Sequence, residues 1–308
     1  MSKKIFLTGS SGFVGTNLYK NLKPKFKFTF YKKDKPIRIN ENIVINLAGK
    51  AHDLKKTSNP NEYYEVNTIF SNSVFDAFIS SNAKVFITLS SVKAVADKLD
   101  SILNEEYIPN PVTHYGKSKL LAEQYILSKE LPQGKRVYIL RPCMIHGPGN
   151  KGNLNLLFKI INKGFPWPLG AFENKRSFCS IDNLCFIINE LIENENIPTG
   201  IYNIADDIPL STNKIIRLIS QSQGKKTFIW NVPKIFLRYI SLFGDILHLP
   251  FNTERLSKLT ENYVVSNVKI KNAINKPLPV NSEYGLLNTF SSFSHLFFLI
   301  YLHFTISK

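Results

Sequence analysis

The sequence predicts an α/β protein: a doubly wound parallel sheet followed by a smaller, loop-rich C-terminal region. Three observations predict it. Short apolar runs alternate with amphipathic ones through the first half of the chain. A glycine-rich turn joins the first apolar run to the first amphipathic one. After Pro142 the alternation loosens into Gly/Pro/Asn-rich segments. Strands alternating with helices build a parallel sheet covered on both faces.

The elements follow in order. "KIFLT" reads as a strand and "FVGTNLYKNL" as the start of a helix. "FKFTFY" and "IVINLAG" read as strands, "NTIFSNSVFDAFISS" as a helix and "AKVFITLSS" as a strand. "YGKSKLLAEQYILSKE" is a helix, followed by the strand "RVYILRP". Beyond it, "HGPGNKGN" and "FPWPLGAFENKRS" read as long functional loops between small elements. No internal repeat is present. The tail "SSFSHLFFLIYLHFTISK" has an apolar core, Leu296 to Ile306, too short for a comfortable transmembrane helix. A docked terminal segment is the preferred reading of this tail, ahead of a membrane-surface or partner-binding helix.

Composition narrows the class. With 308 residues and 44% hydrophobic content, the chain can bury a core without staples. Cys143, Cys179 and Cys185 show no C-x-x-C spacing, which argues against a disulfide framework and for a reducing compartment. No His/Cys cluster has metal-ligand spacing, so no metal is expected. The start, "MSKKIFLTGS", lacks a secretory apolar region. A cytoplasmic protein is expected. The formal charge of +16 suits a nucleic acid, an acidic membrane face or an anionic small molecule. Its lysines are scattered, however, and no basic run or nucleic-acid signature is seen, so an anionic small molecule is preferred to a nucleic acid.

Two motifs carry chemistry. In "LTGSSGFVG", Gly9, Gly12 and Gly15 recur every third residue between a strand and a helix. Glycine permits tight turns and close approach of backbone to a pyrophosphate. The helix N-terminus offers free N–H groups and a positive dipole end to that anion. Gly9, Ser11, Gly12, Phe13, Val14 and Gly15 are therefore the expected dinucleotide cradle, in a G-x-x-G-x-x-G spacing. The second motif is "HYGKSK", where Tyr115 and Lys119 stand four residues apart and share one helical face.

With these two motifs the chain resembles the extended short-chain dehydrogenase/reductases, and within them the NAD-dependent epimerase/dehydratase family. The resemblance runs from about Lys3 to Phe290. It implies an NAD(P)-binding Rossmann-type domain over 1–142, a mainly nucleotide-sugar-binding region over 143–290, and an apolar tail over 291–308. It implies NAD or NADP as cofactor. Tyr115 and Lys119 take the place of the family's catalytic Y-x-x-x-K, and Ser91 in "FITLSSVKA" takes the place of its hydroxyl residue. "NLAGKAH" implies that Ala48 and Gly49 line the cofactor, "KRSFCSIDNL" that Arg176 contacts a nucleotide diphosphate, and "GNL" that Asn153 and Leu154 touch the nucleotide sugar.

The chemistry expected of the pair is proton transfer. A free tyrosine, with a pKa of about 10, is a poor base at neutral pH. A nearby ammonium favours the phenolate and is expected to lower that pKa. Tyr115 then takes the proton from a sugar hydroxyl while hydride leaves the same carbon. Ser91 hydrogen-bonds the same oxygen, and Lys119 also anchors the nicotinamide ribose.

The chain departs from the family in four places. Lys32 and Lys33 stand where relatives carry an acid on the adenosine ribose, which favours a 2′-phosphate and hence NADP. Only "KPIRINEN" lies between "FYKKD" and "IVINLAG", so a strand–helix unit is missing or collapsed and the sheet narrower. Met144 replaces the Asn of R-P-x-N after Arg141 and Pro142. Val92 and Lys93 follow Ser91 where 4,6-dehydratases carry Asp-Glu, which argues against a dehydratase.

The expected function is therefore a nucleotide-sugar 4-epimerase acting on a UDP-hexose or UDP-N-acetylhexosamine in surface polysaccharide synthesis. The alternatives are an NAD(P)H-dependent reductase of a UDP-4-keto-6-deoxy sugar and a non-catalytic cofactor-binding regulator. A homodimer is expected, because "FSNSVFDAFIS" and "LLAEQYIL" carry more apolar residues than one buried face needs.

Overall fold

A computed structural model of the chain describes residues 3–50, 59–150, 152–249 and 251–293. The apolar tail beyond 293 lies outside the described residues. Among those described, no helix is long and apolar enough to cross a membrane. The chain divides into two compact units.

The first unit is Met1–Cys143 with Ile181–Ala205 and Val265–Pro279. Its strands are β1 (Lys4–Thr8), β2 (Lys27–Phe30), β3 (Ile43–Asn46), β4 (Val85–Leu89), β5 (Arg136–Pro142) and β8 (Gly200–Ile204). They pair in the order β2-β1-β3-β4-β5-β8, parallel throughout. The strands read as continuous apolar runs because a parallel sheet is buried on both faces.

Phe6, Val44, Phe86 and Val137 stand in register as one row. That row packs with Val74, Phe75 and Phe78 of α3 (Ser71–Ile79) and Ile126 of α4 (His114–Leu127). Ile5 and Leu7 point the other way, since successive strand residues alternate. α1 (Phe13–Leu22) packs against α6 (Ile181–Glu193). The first unit thus reaches beyond residues 1–142, because β8 completes the sheet beside β5 and α6 covers α1.

Three elements differ in detail from the sequence reading. The helix expected from Asn67 begins earlier, as α2 (Pro60–Tyr64), and passes through a π-helical stretch (Glu65–Phe70) into α3. Asn59 starts it by accepting from Asn61 N at 3.0 Å. "FKFTFY" is trimmed to Lys27–Phe30, which forms the sheet edge. The short segment after it carries no strand, and Ile37 and Ile39 pack against the core instead.

The second unit is Met144–Ser180, Asp206–Val264 and the chain from Val280 onward. Here β6 (Met144–His146) and β7 (Phe178–Ser180) form a parallel pair. Around its core lie α5 (Asn153–Asn162), α7 (Thr212–Ser222), α8 (Lys234–Ile246), α9 (Thr253–Thr260) and a terminal helical segment, 282–293. Phe158 of α5 stacks on Phe290 and meets Phe293 edge-on. Cys143, Cys179 and Cys185 are buried thiols, and no disulfide links them.

Candidate active site

The first unit places the cradle at the carboxyl end of β1, which is flanked by β2 on one side and β3 on the other. Such a switch point is where doubly wound sheets open a crevice for a ligand. Gly9 has φ +68, and a Cβ there would lie 2.5 Å from the Leu47 carbonyl carbon. A Cβ at Gly15 would lie 2.2 Å from Gly9 O. These two glycines let α1 and the turn after β3 close onto the cradle. Gly12 differs: it is the N-cap of α1, extended at φ −74 and ψ 170, and its Cβ position meets only Gly9 O at 3.4 Å. No side chain caps α1 there. Ser11 and Gly12 are exposed, and Phe13 and Val14 half-buried. This donor set suits an anion: open backbone N–H groups at a helix start, with room where a side chain would stand.

The turn after β3 is shaped by buried polar groups. Thr8 Oγ1 donates to Asn46 Oδ1 at 2.6 Å and accepts from Ala48 N at 3.1 Å. Asn67, wholly buried in the π-helical stretch, accepts from Lys50 N at 2.8 Å and donates to Ser118 Oγ at 3.0 Å. It clamps the Gly49–Lys50 turn to α4. A π-helical turn pushes a side chain out of the regular ladder, a feature frequent at functional sites. Sequence reading missed Asn67. It is one of two amides in a run that also holds Thr, Ser and Asp, so nothing local singles it out.

Ser91 and Tyr115 are brought together by local capping. Asp97 Oδ2 accepts from Val112 N at 2.8 Å and Thr113 N at 3.2 Å. Thr113 then caps α4 by accepting from Gly116 N at 3.2 Å. Gly116 is a second residue that sequence reading missed. Its Cβ would lie 2.3 Å from Lys93 O, so only glycine lets α4 touch the 3-10 turn Val92–Ala94. Ser91 caps that turn by accepting from Lys93 N at 3.2 Å, and its hydroxyl is hydrogen-bonded to the Tyr115 phenol. Lys93 Nζ donates to Asp97 O at 2.8 Å, so the second position after Ser91 holds a lysine tied into its own loop.

Lys119 is buried one turn along α4. Its Nζ donates to Leu89 O at 2.8 Å and lies 3.0 Å from where a Gly49 Cβ would stand. Beneath it, Glu123 and Arg141 form a buried bidentate pair, with Arg141 Nε at 3.0 and 3.1 Å from the two carboxylate oxygens and Nη2 at 2.6 Å.

The electrostatics correct one expectation. Burial pushes the Tyr115 phenol above its ordinary value; the Ser91 hydrogen bond works against that and Tyr63 adds to it. Lys119 is pushed down to about 8 by burial, with Glu123 opposing. Desolvation of each charged form therefore outweighs the expected phenol-lowering effect of the ammonium. Tyr115 is a proton-bearing phenol across neutral pH.

The remaining residues lie apart from this cluster in the chain. Lys32 and Lys33 are exposed in the turn after β2, where Asp34 has φ +64. In the second unit, Asn153 opens α5 and is exposed, while the Leu154 side chain is buried in the core. Only the backbone N–H of Leu154, in an uncapped first turn, is left to meet a ligand. Arg176 bridges Leu210 and Tyr263 through its backbone, and its guanidinium donates to Lys258 O. Burial lowers its pKa, with Glu261 opposing.

Comparison with known proteins adds four findings. Residues 32–205 match the profile of the NAD dependent epimerase/dehydratase family. The chain is 29% identical to a UDP-glucose 4-epimerase of Vibrio cholerae, covering 95% of this chain and 96% of that protein. It is also 29% identical to an N-acetyl-alpha-D-glucosaminyl-diphospho-ditrans,octacis-undecaprenol 4-epimerase of Escherichia coli O157:H7, covering 88% and 85%. Among solved structures, UDP-glucuronic acid 4-epimerase from Bacillus cereus in complex with NAD shares the fold at TM-score 0.71 and 18% identity, covering 95% of this chain and 99% of that one.

Proposed function

The chain belongs to the NAD dependent epimerase/dehydratase family, and on that premise we propose that it is a nucleotide-sugar 4-epimerase acting on a UDP-hexose or UDP-N-acetylhexosamine. The observation that carries the reading is the Ser91–Tyr115 hydrogen bond with Lys119 one turn away. The Vibrio cholerae relative, matched over nearly its whole length, supports the 4-epimerase over other reactions of the family.

Ser11, Gly12 and the first turn of α1 would hold the cofactor pyrophosphate. Ala48 and Gly49 would line its path, and Lys119 would reach its ribose. Bound there, the nicotinamide supplies hydride exchange at the sugar C4. As the phenolate, which the positive charge of a bound oxidised nicotinamide would favour over the proton-bearing form, Tyr115 takes the proton of the C4 hydroxyl in the oxidising half-reaction and returns it to the carbonyl oxygen in the reducing half. Ser91, with one hydroxyl proton to give, donates it to that oxygen and holds it in line. The Lys119 ammonium, one turn along the same helix, would also favour the phenolate. Arg176, Asn153 and the Leu154 backbone would bind the nucleotide diphosphate.

A second reading, a reductase of a UDP-4-keto-6-deoxy sugar, is favoured by exposed Lys32 and Lys33, which suit the 2′-phosphate of NADPH. A cytoplasmic homodimer accompanies either reading. Exposed Leu121 and Leu127 on α4 and Ile69 in the π-helical stretch support an apolar contact between two copies.

The test counts hydride. Purified protein is incubated with UDP-N-acetylglucosamine and UDP-glucose, with trace NAD and no reductant. Galacto-configured product beyond one equivalent per enzyme supports the epimerase, because hydride is returned. No epimer, with NADPH oxidation on adding a UDP-4-keto-6-deoxy sugar, installs the reductase. Neither activity leaves the cofactor-binding regulator.

A further inference from the structure

Helix α8 is amphipathic the wrong way round for a helix packed on its own protein. Its inward face is Leu237, Ser241 and Gly244, all buried. Its outward face carries Ile235, Tyr239, Leu242 and Ile246 in one row and Phe236, Ile240 and Phe243 in the next, from 42% exposed at Ile240 to 70% at Ile246. At 100° per residue these seven fill an arc of roughly 160°. The helix cannot roll to bury them. A Cβ at Gly244 would lie 1.8 Å from Phe251 O, so the small face is locked against the returning chain. Phe228 and Trp230, just before the helix, are exposed as well.

Charge completes the pattern. Lys225, Lys226, Lys234 and Arg238 are exposed along the same stretch. Between Lys225 and Leu249 the one acid is Asp245, which accepts from Thr253 Oγ1 at 2.7 Å and Thr253 N at 3.2 Å. Lys234 and Arg238 lie one turn apart, on the flank between the buried face and the apolar arc. An apolar arc with exposed aromatics and a basic flank is the composition of a helix lying in a lipid headgroup region. A second copy laid on the same arc would instead bring four more basic residues to that edge.

We infer that α8 and the 225–230 segment dock the protein on an anionic phospholipid bilayer, the apolar arc entering the headgroup boundary and the basic flank meeting lipid phosphates. This inference is independent of the catalytic reading, since no residue of the proposed active site takes part.

The experiment is co-sedimentation of the full chain with vesicles of phosphatidylglycerol and phosphatidylethanolamine, and with vesicles of phosphatidylcholine alone. The anionic vesicles should bind the protein, less so at high salt, and should shift Trp230 emission to the blue. Phe236→Glu with Phe243→Glu should weaken binding at least tenfold. Lys234→Glu with Arg238→Glu should do the same, at roughly fivefold for each basic residue lost. Unchanged circular dichroism and unchanged turnover of soluble sugars would show these variants to be intact; turnover is a readout separate from sedimentation. Three outcomes overturn the inference. The wild type stays in the supernatant. Binding survives the α8 variants and is lost when 294–308 are removed. Or the α8 variants abolish self-association of a chain that never binds vesicles, which makes a second copy the occupant.

Discussion

The Ser91 hydroxyl and the Tyr115 phenol are hydrogen-bonded, although 24 positions and a loop separate them in the chain. The bond opposes the burial that keeps the phenol protonated. It ties the segment after β4 to the start of α4.

Tyr115→Phe should fold normally and lose activity by about 10²–10⁴-fold, because only the proton-transfer oxygen is removed. Ser91→Ala should cost less, on the same step. Steady-state rates with matched cofactor titrations check both. A phenylalanine variant with half the wild-type rate removes Tyr115 from the mechanism.

Lys119 makes stability depend on pH. Its folded value, about 8, lies below the ordinary lysine value of 10.5. Between these values the unfolded chain binds more protons, so stability rises with pH from about 8 to 10.5. The penalty below pH 8 is on the order of 3 kcal/mol. Lys119→Met should remove that slope, so its melting temperature gains on the wild type at pH 7 and loses the advantage near pH 10. Parallel melting curves for the two proteins across this range would contradict the assignment.

Gly12 and Gly15 should separate binding from folding. Gly15→Ala drives a Cβ to 2.2 Å from Gly9 O and should destabilise the protein by about 1–3 kcal/mol or more. Gly12→Ala adds only an ordinary contact, 3.4 Å from Gly9 O, on a backbone that alanine adopts, so the cost should stay at about 0.5–1 kcal/mol, the preference of an N-cap for glycine over alanine. Its methyl group fills the cradle, and dinucleotide affinity should fall at least tenfold. Calorimetry and denaturant melts read the two effects. Undiminished affinity in Gly12→Ala would move the cofactor elsewhere.

Glu123 and Arg141 are both nearly inaccessible. Removing one partner leaves a buried charge, so Glu123→Gln and Arg141→Met should each cost about 3–5 kcal/mol. Glu123→Leu with Arg141→Met should recover most of it. A double variant as unstable as the sum of the singles would show that the pair does more than neutralise itself.

Lys32→Ala with Lys33→Ala should weaken NADP(H) more than NAD(H), by about 1–3 kcal/mol if both reach a phosphate. Equal effects on the two cofactors would reduce the pair to surface charge.

By itself the sequence determined the alternation of strands and helices, the glycine cradle and the four-residue spacing of Tyr115 and Lys119. These are local patterns: side-chain periods of 2 and 3.6, turn glycines, and a helical repeat readable within a few residues. Residues 4–8 and 136–142, and the start of the helix at Phe13, are legible to the residue for that reason. What only the tertiary structure decided depends on neighbours far away in the chain. Asn67 matters because the Gly49 turn and Ser118 fold onto it, and Gly116 because the Lys93 carbonyl lies where a Cβ would stand. The segments that return to complete the first unit, Ile181–Ala205 and Val265–Pro279, carry no local mark of the sheet they join. The direction of the Tyr115 shift belongs here too. The sequence shows an ammonium one turn from a phenol, but desolvation is set by everything packed around both groups, and in this fold it is the larger effect.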